Sequence, residues 1–312
     1  MISFGPIPSR RLGKSLGINN ISSQKVCTYS CIYCQVGITN KYSADRTSFF
    51  EPSVIYEEVK KHLQKLDAID KPDYLTFVAN GEPTLDINLG KSIKILTTFN
   101  IPIAVITNGS LLNDSMVREE LSLANWVSVK IDTADKRTWK TLNRPLAKID
   151  FDHYKNGLLK FSQEFKGELV SETMLVKGVN DSSELLHQTA ELVLLVNPST
   201  AYLSIPTRPP AIATVAAPDE NEINAAYQIY TEKGLNTELI LGFEGTNTGF
   251  TGNAIDDIIN ICTVHPIRED TMQELLRKDN ADPMILKSLI HGKHIQQVNY
   301  GSNTFYIRKF HS

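Results

Sequence analysis

Between about residues 50 and 240, short apolar, β-branched runs alternate with stretches whose apolar positions recur every three or four residues. The first pattern suits strands buried on both faces, and the second suits helices with one buried side. Strands are expected at 74–79, 103–107, 126–131, 169–176, 201–205 and 238–241, with an earlier one near 15–18. Helices are expected at 53–66, 88–99, 114–123, 135–142, 151–165, 183–196 and 219–233. Pro52-Ser53 and Pro218-Asp219 mark two helix starts, because proline and short oxygen-bearing side chains suit a first turn whose N–H groups lack partners. Asp181 or Ser182 can cap the helix at 183–196 in the same way.

Strands alternating with helices imply an α/β protein with a parallel sheet, and six or seven βα units suffice for a partial or full barrel. An open doubly wound sheet would leave the same trace. In either case ligands bind at the carboxyl ends of the strands. Those ends are polar here: Asn80-Gly81-Glu82-Pro83-Thr84, then Thr107-Asn108-Gly109-Ser110, then Lys130 and Asp132, then Thr207-Arg208.

The pattern changes after 242–249, a glycine- and threonine-rich stretch expected to be flexible. Helical periods at 254–264, 268–278 and 282–291 precede two extended runs, 294–300 and 304–310, around Gly301-Ser302-Asn303. That is the order of a winged helix-turn-helix, so two domains are expected, 1–250 and 251–312. From 253 to 312 seven Lys/Arg stand against seven Asp/Glu, which leaves no basic footprint for a polyanion. Lys287, His291, Lys293 and His294 gather toward the third helix and the hairpin, where protein docking fits as well as nucleic acid.

With 312 residues, 41% hydrophobic, 21% charged and a net charge of -3, the chain reads as a soluble protein with a substantial core. Nothing in that balance draws it to nucleic acid or anionic membrane. No apolar run is long enough to span a bilayer, and no apolar segment follows Arg10, Arg11 and Lys14, so cytoplasmic residence is expected.

Chemistry enters with the cysteines. Cys27, Cys31 and Cys34 form a C-x3-C-x2-C array, while Cys262 sits at helical spacing among Ile258, Ile259 and Ile261 and reads as core. Three soft thiolates in one loop suit an iron–sulfur cluster and leave a cubane one ligand short. Structural zinc would need a fourth ligand, and the first histidine, His62, lies in a helix well downstream. A disulfide would leave one of the three unpaired.

Cys27-Thr-Tyr-Ser-Cys31-Ile-Tyr-Cys34, with Tyr33 before the third cysteine, resembles the signature of the radical S-adenosylmethionine (SAM) superfamily. Asn80-Gly81-Glu82-Pro83 resembles its Gly-Gly-Glu-Pro motif. The resemblance implies a βα barrel of radical SAM type, partial or full, with a [4Fe-4S] cluster on Cys27, Cys31 and Cys34. It implies that SAM completes the fourth iron and that Asn80, Gly81 and Glu82 hold its amino group. Thr107, Asn108, Lys130 and Asp132 look like the layer that binds the ribose and carboxylate of SAM, with Glu172 and Thr173 trailing on the next strand. Asp132 also stands where a helix N-cap would. Tyr33 would pack its ring beside the cluster loop and offer its backbone to the adenine.

The opening Gly5-Pro6-Ile7-Pro8-Ser9-Arg10-Arg11-Leu12-Gly13 carries paired arginines, either an anion clamp or a solvated surface. Together these motifs look like a group related to the wyosine tRNA-base synthetases, although no cysteine precedes Cys27 to hold the second cluster such synthases carry. The implied activity is one-electron cleavage of SAM to a 5′-deoxyadenosyl radical that abstracts hydrogen from a substrate, an RNA base being one class. A donor such as flavodoxin or ferredoxin would supply the electron. The rivals are a maturase acting on a peptide or protein and a non-catalytic iron–sulfur sensor whose winged helix binds DNA.

Overall fold

All seven expected strands of residues 15–241 form, each ending within two residues of its expected limit. In the computed structural model, which describes residues 2–21, 24–242 and 245–309, they are β2 (Gly13–Ile18), β3 (Tyr74–Phe77), β4 (Ile103–Thr107), β5 (Trp126–Lys130), β6 (Glu168–Met174), β7 (Thr200–Ser204) and β8 (Thr237–Ile240). They pair side by side in chain order, every pair parallel. An unforeseen strand, β1 (Ser3–Ser9), runs antiparallel to β2 at the edge of the sheet. Its two prolines hide it from pattern reading, and an edge is where a sheet tolerates them.

The eight strands curl into a half-barrel. Among the described residues β1 and β8 do not pair, so the full closure that the pattern also allowed does not occur. Helices α1 (Pro52–Lys65), α2 (Leu89–Leu96), α3 (Ser115–Leu121), α4 (Lys136–Leu142), α5 (Phe151–Glu164), α6 (Ser183–Val196) and α7 (Glu220–Glu232) connect the strands. The period-2 alternation of β5 shows how the faces divide. Val127 and Val129 join the large core shared with the helices, while Trp126 turns to the other face and packs with Leu12, Ala104, Val170 and Tyr202. Ser182 caps α6 by accepting from Leu185 N, and Asp181 instead accepts from Gly178 N.

Beyond residue 250 come α8 (Ala254–Val264), β9 (Ile267–Arg268), α9 (Glu269–Lys278), α10 (Met284–His291), β10 (Ile295–Tyr300) and β11 (Asn303–Arg308), with the three strands ordered β9-β11-β10. The two-residue β9 is too short to leave a sequence pattern. These elements have their own apolar core, which Phe4 and Ile7 of β1 complete. Tyr300 donates to Pro206 O at 3.2 Å and Gly249 N to Pro6 O at 2.6 Å. The segment therefore reaches from the β1 edge to the loop after β7. Cys262 is buried in that core, whereas Lys287, His291, Lys293 and His294 are exposed. Of the expected flexible stretch, 243–244 lie outside the described residues, as does Phe310; Thr248 is buried.

Candidate active site

A cavity of about 350 Å³ opens at the carboxyl ends of the strands, and Cys27, Cys31, Cys34, Gly81, Glu82 and Lys130 all line it. Two loops meet there through their backbones. Val26 N donates to Asn80 O at 3.3 Å and Glu82 N to Val26 O at 3.1 Å. Gly81 makes that approach feasible: its φ is +137°, and a Cβ would lie 1.8 Å from Val26 O. The result sets Cys27 beside Glu82.

Burial first, then the Glu82 charge, pushes the Cys27 thiol up to about 12; burial, then Cys34, pushes Cys31 up to about 11. Such thiols stay protonated until a metal displaces the proton. Among the described residues no three His, Cys, Asp or Glu converge closely enough to hold one metal ion. His62 serves elsewhere, with its ring nitrogens bonded to Ser3 Oγ and Gly5 O at 2.9 Å each.

Glu82 is only 1% exposed. Its carboxylate accepts from Thr84 N at 3.1 Å, Thr84 Oγ1 at 2.7 Å, Thr107 Oγ1 at 2.6 Å and Asn108 N at 2.8 Å. Burial still raises its pKa against those four donors. No cation pairs with it among the described residues, so its ionised form has no counter-charge in the cavity wall. Thr107 and the Asn108 backbone hold this carboxylate in place, and Asn80 is buried behind it with its N–H on Asn19 Oδ1 at 2.9 Å.

The third group of polar ends forms a charged chain. Lys130 Nζ lies 3.3 Å from Asp132 and 3.2 Å from Glu172, and Glu172 also accepts from Arg11 and, at 2.9 Å, from Ser204 Oγ. Burial alone would raise the Glu172 pKa, but Lys130 and Arg11 hold it well below the usual carboxylate range. Burial would lower Lys130, and Asp132 with Glu172 keeps it high. Asp132 is not a helix cap: it accepts from the Tyr33 hydroxyl, from Asn143 Nδ2 at 2.7 Å and from Met174 N at 2.9 Å, while Asp135 caps α4. The Tyr33 ring stacks against Lys130, 5.2 Å from its ammonium. Thr173 leaves the site because strand alternation sends it to the helix side, where it bonds Ile131 O and Tyr230.

These features coincide with a match between residues 21–190 and the family model of the radical SAM superfamily. The chain belongs to the radical SAM superfamily. A UPF0026 protein of Methanocaldococcus jannaschii is 41% identical over 313 aligned residues, which cover 100% of this chain and 97% of that protein. Among solved structures, a radical SAM methyltransferase from Sphaerobacter thermophilus shares the fold with a TM-score of 0.56 at 17% identity, over 72% of this chain and 66% of that one. Streptococcus suis SuiB bound to S-adenosylmethionine gives 0.53 at 13% identity, over 72% and 51%. The protein is accordingly a radical SAM enzyme, with a [4Fe-4S] cluster and SAM as its cofactors, which sets aside the non-catalytic sensor. No helix among the described residues is long and apolar enough to cross a membrane.

The radical SAM cavity is closed on one side by the C-terminal elements. Gln35, next to Cys34, donates to Val264 O at 2.9 Å and accepts from Arg208 at 3.2 Å, and Arg208 contacts His265 Nε2 at 3.2 Å. The adjacent Arg10 and Arg11 and the distant Arg208 line the same cavity. Burial, then Arg208, depresses the His265 pKa well below its ordinary value, so the folded protein keeps this ring neutral. Below about pH 6.5 only the unfolded chain takes up that proton, and His265 then costs up to about 1.4 kcal/mol of stability per pH unit. His265→Gln should remove this part of the acid slope, leaving melting temperatures less sensitive to pH between 6.5 and 5; an unchanged slope would contradict a neutral His265 at the cavity wall.

Sequence reading missed the Arg11–Glu172 pair, Ser204 and Asn143. None had a local signal: Arg11 and Glu172 are 161 positions apart.

Proposed function

We propose that Cys27, Cys31 and Cys34 carry the [4Fe-4S] cluster and that Glu82, with the Asn80 and Gly81 backbone, receives the ammonium of SAM. The supporting observation is a buried carboxylate without a counter-cation on the same cavity wall as three thiols. An ammonium there converts an uncompensated buried charge into a charge-assisted hydrogen bond. With both cofactors bound, the cluster would supply the electron for reductive cleavage of SAM, and SAM would supply the group that abstracts hydrogen from the substrate. Lys130 is read as the partner of the SAM carboxylate, since it carries the positive charge at the next strand end; Thr107 and Asn108 donate to Glu82 and aim it. The charged chain from Arg11 to Asp132 orients Tyr33 at the cavity wall.

Residues 251–312 are read as a winged-helix-like unit that closes the cavity and excludes water from the radical. The one-electron donor is read as a flavodoxin or ferredoxin.

Anaerobically reconstituted protein given dithionite and SAM should release 5′-deoxyadenosine; its absence from protein holding a full cluster would sink this reading. Glu82→Gln keeps the shape but not the charge, and should weaken SAM binding by about tenfold to a hundredfold, the worth of a charged hydrogen bond of about 1.5–3 kcal/mol. The likeness of its motifs to wyosine-type enzymes directs the first substrate search to RNA. Crosslinking of the full chain to total tRNA, compared with total protein, separates an RNA-base modifier from a peptide maturase.

A further inference from the structure

Each of the three thiols receives a hydrogen bond from a different side chain. Lys25 Nζ lies 3.2 Å from Cys34 Sγ, Asn143 Nδ2 3.5 Å from Cys31 Sγ and Asn108 Nδ2 3.6 Å from Cys27 Sγ. The donors arrive from separate places: the stretch before the cysteine loop, the end of α4 and the loop after β4. Both asparagines are neutral and are anchored by a second acceptor, Asn143 by Asp132 and Asn108 by Thr28.

Lys25 differs because it brings a charge. It is 4% exposed, and its acceptors are Cys34 Sγ and the Gly37 carbonyl; among the described residues no carboxylate pairs with it. A buried ammonium without a counter-charge costs several kcal/mol, and lysine is almost never fully buried unpaired. The neighbouring sulfurs supply that counter-charge once they hold iron. Three thiolates on a [4Fe-4S] core in its oxidised, roughly +2 state leave a formal charge of about -1, which becomes about -2 after one-electron reduction.

We propose that Lys25 is the fixed counter-charge of the cluster, raising its reduction potential by favouring the more negative, reduced form. Asn108 and Asn143 act in the same direction as neutral donors to the other two sulfurs. The proposal rests on the assignment of the three cysteines as cluster ligands. The electron comes from an external one-electron donor and stays on the cluster; no bond is made or broken and no proton is taken up. Lys25 is a positioning residue, so its signature is a potential rather than a turnover number.

The test is a redox titration, followed by electron paramagnetic resonance, of the reconstituted full chain carrying Lys25→Met, Lys25→Gln or Lys25→Arg. At the wild-type midpoint, Lys25→Met should lower the ratio of reduced to oxidised cluster at least about tenfold, equivalent to about 59 mV for a one-electron couple. Lys25→Gln, which keeps a donor but not the charge, should shift the same way, and Lys25→Arg should stay within about threefold of wild type. Full iron with an unshifted potential in the Met or Gln variant overturns the proposal. If Lys25→Met does not load iron, Lys25→Gln decides; if neither loads while Lys25→Arg does, Lys25 is an assembly residue and the tuning role is overturned. Failure of the underlying assignment shows separately, as a wild-type chain that takes up far fewer than about four irons or a Cys34→Ala chain that still takes up all of them.

Discussion

Cys31→Ala should abolish iron loading and reductive SAM cleavage while leaving the fold intact. The loop around Cys31 is held by its backbone, with Ile32 N on Leu142 O at 2.9 Å and Ser30 N on Asn143 O at 3.0 Å, so removing the thiol costs little structure. Losing one of three thiolates leaves two irons of a cubane without protein ligands. A metal–thiolate bond contributes several kcal/mol, and about 4 kcal/mol corresponds to roughly a thousandfold loss of cluster affinity. The check is iron and sulfide content together with 5′-deoxyadenosine production, with Cys262→Ala as the internal control. Cys262 is buried away from the cavity with its thiol near Tyr306 O at 3.4 Å, so its loss should lower thermal stability slightly and leave iron content unchanged. A Cys31→Ala protein with full iron and activity would refute the ligand assignment.

The second large effect is expected at Gly81. An alanine Cβ would sit 1.8 Å from the Val26 carbonyl oxygen, and a φ of +137° is strained for any side chain. The obstructing atom is backbone, so no rotamer change relieves it, and the two loops must separate. Strain of about 1–3 kcal/mol from the dihedral adds to the cost of breaking the Val26–Glu82 hydrogen bond, so Gly81→Ala should lose about 3 kcal/mol or more. Melting would register that loss. A more specific effect is that Cys27 and Glu82 move apart, so SAM affinity should fall even at temperatures where the variant is folded. A variant with wild-type melting and SAM affinity would show that the two loops are not coupled at this point.

The βα order and the cysteine loop were legible because both are local. Apolar runs such as 103–107 and amphipathic stretches such as 183–196 announce their own secondary structure through their periods. Strand β1 was invisible because prolines interrupt it, and it forms because β2 offers it an edge. The Gly-Glu-Pro loop and the polar strand ends were visible as candidates, but their wiring was not. Thr173 and Glu172 are adjacent in sequence, yet alternation sends Thr173 toward Tyr230 and Glu172 into the cavity beside Arg11 and Lys130. Asp132 looked equally suited to capping a helix or to serving the site, and only the packing of Tyr33 and Asn143 against it removed the first option.

The sequence by itself determined the alternation of strands and helices, the three clustered thiols and the Gly-Glu-Pro loop, because periodicity, ligand spacing and residue chemistry act over a few positions. The tertiary structure alone decided which charges compensate one another: Arg11 with Glu172, Lys130 with Asp132, and Lys25 with a cysteine sulfur. Those pairings depend on sheet register and loop closure, since a buried charge accepts whichever partner the completed fold delivers to it.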